Sequence, residues 1–300
     1  MILPNFMVIG GAKAATSSMA TYLVQHPDVY MSPVKEPHYF SSLDGRFFME
    51  GPHDRQLYKG QIHTTAESYA SLFADAGQCR AVGESSTTYL STPGTAVRIK
   101  QTLPQVKLVA ILRNPVERAY SCYMHLVRDG LEDARTFEEA LAAEPERILR
   151  RWDRFWHYKE LGFYKRQLEE YYEHFPRENI KLFLYDDLRR DVHAVLREIF
   201  LFVGVDPMVR IDTSNKVNVG GIPVDVWYHR LTAKKNLLKT AVKYFLPPRW
   251  RAEWKEKIVA RNLHRPPMRP ETKKMLQAVY REDILALQEL IQRDLGKWLE

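Results

Sequence analysis

The stretch Phe6-Met7-Val8-Ile9-Gly10-Gly11-Ala12-Lys13-Ala14-Ala15-Thr16-Ser17-Ser18 constrains this chain more than any other. It reads as a buried strand, a tight turn of small residues, one lysine and a helix start. Small residues let the backbone approach an anion closely. The first amides of a helix have no intrahelical partner and point outward at such a ligand. Lys13 adds a mobile positive charge. Ala14 and Ala15 keep the approach open, and Thr16, Ser17 and Ser18 add hydroxyl donors. A phosphate-bearing ligand is therefore expected within the first twenty residues. The plainer alternative is a small-residue turn with an exposed lysine.

The loop does not follow the nucleotide-triphosphate pattern, which needs Gly-Lys followed by Ser or Thr. Here Ala12 precedes Lys13 and Ala14 follows it, so the hydroxyl that would hold magnesium is missing. It is not the Gly-x-Gly-x-x-Gly dinucleotide turn either.

Short apolar runs at 6–9, 81–83, 107–112 and 180–185 suit strands buried on both faces. Helical patterns lie between them at 17–25, 96–101, 115–128, 163–174 and 192–203, with Pro115 suited to a first helical position. A last pattern at 271–299 predicts a helix packed on the sheet layer. Strands alternating with helices imply a parallel sheet, and ligands of such sheets bind beyond the carboxyl ends of the strands. The turns after Ile9, Gly83 and Leu112 should converge on one site. Three hundred residues of ordinary apolar content fit one α/β domain over 1–300.

The net charge of +7 favours an anionic ligand, polymer or membrane surface without choosing among them. Cys79 and Cys122 allow one disulfide at most, which makes a reducing compartment the default. With no signal-peptide pattern and no run long enough to span a bilayer, a soluble, cytoplasmic protein is expected. The ten histidines include no His-Glu-x-x-His pair, so no metal is expected. His125, His157, His174 and His193 read as surface or structural residues.

A second motif runs Leu108-Val109-Ala110-Ile111-Leu112-Arg113-Asn114-Pro115-Val116-Glu117-Arg118-Ala119-Tyr120-Ser121. Arg113 ends a buried strand, and its planar fork suits a phosphate. Ser121 follows eight residues later on the next helix. Alone, the motif reads equally well as a charged strand end. Together, the two motifs resemble the paired phosphate-binding signatures of sulfotransferases, which use 3′-phosphoadenosine 5′-phosphosulfate (PAPS). Further likeness lies in Ser32-Pro33-Val34-Lys35-Glu36-Pro37-His38-Tyr39-Phe40, in Gly83-Glu84-Ser85-Ser86-Thr87-Thr88-Tyr89-Leu90, in Gly162-Phe163-Tyr164-Lys165-Arg166-Gln167-Leu168 and in Arg293-Asp294-Leu295-Gly296-Lys297-Trp298-Leu299. The pattern is closer to bacterial and heparan-type members than to the phenol-type ones, and it is weakest at 40–75 and 225–270.

The resemblance implies an α/β, P-loop-like three-layer fold with a central parallel sheet flanked by helices. It implies that the first motif holds the donor's 5′-phosphosulfate, with Lys13 neutralising the departing phosphate, and that Arg113 and Ser121 anchor the 3′-phosphate. It implies a general base at Glu36, where heparan-type relatives carry a glutamate. His38 is a rival, because an unperturbed histidine near 6.5 already suits a base. Lys35, Glu84 and Tyr89 are candidate acceptor contacts, and Lys216 and Asn218 belong to a loop that in relatives closes over the adenosine. Heparan-type enzymes often carry a lysine after the glutamate matched by Glu84, whereas Ser85 stands here. That departure weakens a specifically heparan-like acceptor.

Residues 230–257 carry nine Lys/Arg and two Asp/Glu among several aromatics. The segment 225–270 reads as a lid or acceptor-site insertion. Leu237, Leu238, Ala241, Val242 and Phe245 also form an apolar stripe that fits an anionic membrane surface. A core-packed helix with a solvated cationic face is the plainer reading. No nucleic-acid motif accompanies the charge. The expectation is sulfuryl transfer to a hydroxyl of a carbohydrate, glycolipid or secondary metabolite. The rivals are a magnesium-dependent nucleotide phosphotransferase and a non-catalytic binder of anionic polymers. Oligomeric state is left open.

Overall fold

The computed structural model describes residues 2–42, 49–58, 62–214, 222–223, 263–264 and 266–300. Lys216, Asn218 and the basic segment 227–257 lie outside them.

Five strands form one parallel sheet: β1 (Phe6–Gly10), β2 (Val29–Met31), β3 (Ala81–Ser85), β4 (Lys107–Leu112) and β5 (Ile180–Leu184). Their order is β2-β3-β1-β4-β5. Both neighbours of β1 pair with it in parallel register, Phe6 opposite Gly83 on one side and Lys107 on the other. The crossovers from β1 to β2 and from β3 to β4 thus leave β1 in opposite directions, which opens a crevice at its carboxyl end.

Along the chain the helices are α1 (Thr16–Leu23), α2 (Tyr39–Ser42), α3 (Asp54–Tyr58), α4 (Ala66–Ser71), α5 (Thr88–Ser91), α6 (Thr95–Thr102), α7 (Pro115–Arg128), α8 (Phe137–Leu149), α9 (Tyr164–His174), α10 (Tyr185–Arg190), α11 (Val192–Val203) and α12 (Pro270–Ile291). Ile222–Pro223 and Leu263–His264 pair as a short antiparallel ribbon.

Alternation along the strands divides the core in two. Met7, Ile9, Leu108, Ala110 and Leu112 face one layer, with Ile99, Ala119, Cys122, Leu168 and Tyr280. Phe6, Val8, Val109 and Ile111 face the other, with Met19 and Leu23 of α1 and Val195, Ile199 and Phe200 of α11. Two glycines make this packing possible. A Cβ on Gly83 would stand 2.3 Å from the Phe6 ring, and one on Gly10 would stand 2.8 Å from the Leu90 Cβ.

Most elements match the expectation to within two residues. The last helix does not. It stops at Ile291, where Gln292 adopts a left-handed backbone, and Leu295 and Trp298 fold back into the core. It packs on α9 and α7: the Tyr280 hydroxyl donates to the Lys159 carbonyl, and Asp283 accepts from the Tyr164 amide. β2, with three residues, and α8, with Pro145 inside, were not anticipated. Cys79 and Cys122 are free thiols.

Candidate active site

The carboxyl ends of β1, β3 and β4 bring the anticipated turns together. After β1 the chain enters a compact curl. The Gly11 amide donates to the Ile111 carbonyl at 2.6 Å and the Ala14 amide to the Gly11 carbonyl at 3.2 Å. Lys13 and Ala15 both have positive φ, 64° and 66°. Such alternation turns successive amides toward one point, the concavity that binds anions. No side chain caps α1, which starts at Thr16. Its first amides are therefore available to a ligand.

Lys13 is half-buried, and its ammonium forms no ion pair among the described residues. Burial lowers its pKa to about 8. Arg113, at the end of β4, reaches across and donates from Nη1 to the Lys13 carbonyl at 3.2 Å. Its guanidinium lies 4.7 Å from the Tyr185 ring and donates from Nη2 to Glu117 at 2.9 Å. Asn114 caps α7 by accepting from the Val116 and Glu117 amides, which fixes the helix start beside Arg113. Ser121, half-buried, follows one turn after Glu117 on α7.

The turn after β2, which is not among the three anticipated, meets these across the end of β3. Glu36 and His38 both have positive φ, 60° and 56°. Four of the six non-glycine residues with positive φ among the described residues thus lie in this site. Strained backbone of this kind persists only where surrounding bonds hold it. Here the Glu36 amide donates to the Ser85 carbonyl at 2.9 Å and the His38 amide to Ser86 Oγ at 3.3 Å.

The Glu36 carboxylate is 18 % exposed, ion-paired with Lys35, and accepts from Thr87 Oγ1 at 2.8 Å. Burial alone would raise its pKa, but the Lys35 and His38 charges and the two hydrogen bonds outweigh burial and hold it at about 2. His38 is 1 % exposed, with Nδ1 2.8 Å from Thr88 Oγ1 and Nε2 3.8 Å from the Glu36 carboxylate. Burial lowers its pKa to about 4. Of the two candidate bases, Glu36 reaches the cleft and His38 lies beneath it.

Glu84 and Tyr89 lie beneath the cleft as well, not at an acceptor-facing surface. Both are fully buried. The Glu84 carboxylate accepts from Tyr69, Ser86 and Tyr89 hydroxyls at 2.9, 2.7 and 2.7 Å. Burial still raises its pKa to about 7. A carboxylate enclosed in this way cannot touch an acceptor. Its reach into the site runs through Ser86, which holds the His38 backbone.

His125 stands one turn beyond Ser121 on α7, with Nδ1 2.7 Å from Arg128 Nη2. Among the described residues no group of three His, Cys, Asp or Glu is placed to hold a metal ion, and no helix is long and apolar enough to cross a membrane.

A family model described as Sulfotransferase domain matches residues 5–219. The crystal structure of a sulfotransferase from Alicyclobacillus acidocaldarius superposes with a TM-score of 0.78 at 34 % identity, covering 100 % of both chains. A bifunctional heparan sulfate N-deacetylase/N-sulfotransferase of Drosophila melanogaster is 25 % identical across 99 % of this chain and 27 % of its own length. The membrane-associated sulfotransferase kil1 of Dictyostelium discoideum is 33 % identical over 41 % of this chain and 23 % of its own length. The chain spans about a quarter of the length of these curated relatives.

Proposed function

The chain belongs to the sulfotransferase family, and from that premise we propose that it moves a sulfuryl group from PAPS to an acceptor hydroxyl by in-line displacement. The observation that supports the reading is the convergence of Lys13, Glu36 and Arg113 from the carboxyl ends of β1, β2 and β4, with the Glu36 amide bonded to Ser85 of the intervening β3 and Arg113 bonded directly to the Lys13 carbonyl.

In this mechanism the loop amides from Ala15 to Ser18 and the Lys13 ammonium take the 5′-phosphosulfate, with Ala14 keeping the turn closed through its bond to Gly11. Arg113 exchanges Glu117 for the 3′-phosphate, and Ser121 adds a hydroxyl. The bond between sulfur and the donor's phosphate oxygen breaks while a bond forms to the acceptor oxygen. Charge grows on the departing phosphate, where Lys13 neutralises it. The acceptor proton passes to the Glu36 carboxylate. Displacement of Lys35 by the incoming acceptor raises the basicity of Glu36, because the Lys35 charge and hydrogen bond hold it low. Two other groups position the base: His38 from below and Glu84 through Ser86.

The acceptor class in this proposal is a hydroxyl of a carbohydrate, glycolipid or secondary metabolite. The basic segment 225–270 is its lid or part of its pocket, and a contact for an anionic membrane surface. Cytoplasmic residence belongs to the same proposal. The test is transfer of labelled sulfate from PAPS to a panel of hydroxylated sugars, glycolipids and small alcohols without added metal. Labelled product that disappears in Glu36→Gln supports the reading. A requirement for magnesium and a nucleoside triphosphate contradicts it.

A further inference from the structure

Two separate sets of contacts place Arg154 on the Glu36 side of the cleft. Its Nη2 donates to the carbonyl of Ser91, the last residue of α5. Ser91 lies one turn after Thr87, whose hydroxyl donates to the Glu36 carboxylate. Thr87 and Ser91 also border one small cavity with Gly11 and Ala12 of the turn after β1. From the other side, Asp153 accepts from the Tyr58 hydroxyl at 2.7 Å, and the Tyr58 ring stands edge-on to His38 at 4.7 Å. His38 Nε2 is in turn 3.8 Å from the Glu36 carboxylate. Arg154 therefore stands on the order of 10 Å from Glu36, one to two helical turns away.

The Arg154 charge is short of partners. Nε is enclosed and has no hydrogen-bond partner among the described residues. The neighbouring acids are engaged elsewhere. Glu160 pairs with Arg166, and the Asp153 carboxylate accepts from Tyr58 and from the Phe155 amide. Arg147 shows the satisfied alternative, with two nitrogens on Glu132 at 2.8 and 2.6 Å. Burial pulls the Arg154 pKa below the usual arginine range. A half-buried charge without a counter-ion is costly to keep. Closing the end of the four-residue α5 needs only a hydrogen-bond donor, not a charge.

We propose that Arg154 is an anion subsite for the acceptor, pairing with a carboxylate or sulfate ester carried about one sugar ring away from the hydroxyl that reacts at Glu36. This rests on the sulfotransferase reading and narrows its acceptor to an acidic molecule. Arg154 holds the acceptor and takes no proton. Its planar guanidinium suits either oxyanion. An acceptor without the anion leaves the charge unpaired, which is how the site discriminates against it.

The test is proton–nitrogen NMR of the arginine Nε–H groups in the full chain bound to 3′-phosphoadenosine 5′-phosphate (PAP). The Arg154 signal is the one lost in Arg154→Gln. Glucuronate, glucose 6-sulfate and glucose are added in turn. Either anion should shift that signal saturably while glucose leaves it in place, and the anion that does so separates carboxylate from sulfate-ester recognition. Arg154→Gln keeps a donor for the Ser91 carbonyl and removes the charge. In the labelled-sulfate assay it should raise KM for an anionic acceptor on the order of tenfold relative to the neutral counterpart. Arg154→Lys should restore part of that preference. A signal that neither anion moves, or that glucose moves equally, overturns the proposal. A loss in Arg154→Gln that falls equally on anionic and neutral acceptors also overturns it and leaves Arg154 as a cap on α5. Absence of PAP binding overturns the sulfotransferase reading itself.

Discussion

Raising the pH above neutrality should discharge the donor site one lysine at a time, and Lys13 is the lysine that matters. It is half-buried, makes no ion pair among the described residues, and burial lowers its pKa to about 8. A bound phosphate stabilises the ammonium and returns that pKa toward the usual lysine range. Binding above pH 8 must therefore take up a proton. With a free pKa of about 8, the apparent dissociation constant for PAP should weaken about 25-fold between pH 7.5 and 9.5. Proton uptake should climb from about a quarter of a proton to nearly one over the same range. The phosphate groups of PAP titrate near pH 6, so they stay silent in this window. The assay is calorimetric titration in pairs of buffers that differ in ionisation heat. Lys13→Gln should bind weakly with a flat pH profile. Wild-type affinity that is flat to pH 9.5 with no proton uptake would refute the claim that burial tunes this lysine for the leaving phosphate.

Three further outcomes are expected. Glu36→Gln should lower turnover by about 10²- to 10⁴-fold, as loss of a general base does, with PAP affinity changed less than about threefold in the same calorimeter. Arg113→Ala should weaken PAP by about 1.5–3 kcal/mol, the worth of charge-assisted hydrogen bonds, read as about 10- to 100-fold in the dissociation constant. Arg147→Met should cost about 3–5 kcal/mol in denaturant unfolding, because Glu132, whose side chain is fully buried, loses two charge-assisted bonds of 2.8 and 2.6 Å.

What could be read without coordinates follows from how local each signal is. β4 and α7 match to the residue, because a continuous apolar run and an Asn114-Pro115 start are self-contained instructions. The strand, turn and helix start around Lys13 were legible for the same reason: small residues, a lysine and a helix start stand together in the chain. The environment of Glu84 was not. Its burial depends on Tyr69, from a helix outside the motif, and no spacing rule reports that contact. β2 holds only three residues, too few to show a period. The long last helix was overextended because Leu295 and Trp298 are apolar for a different purpose, closing over the core after the backbone reverses at Gln292. The choice between the two candidate bases could not be read from the sequence, because only the fold shows Glu36 partly exposed and His38 buried.

The most direct test of the donor site is titration of the purified chain with PAP in the presence of a metal chelator, beside Arg113→Ala. The account predicts metal-independent binding that weakens about 10- to 100-fold in the variant. No binding of PAP, or binding only of a nucleoside triphosphate with magnesium, would contradict it.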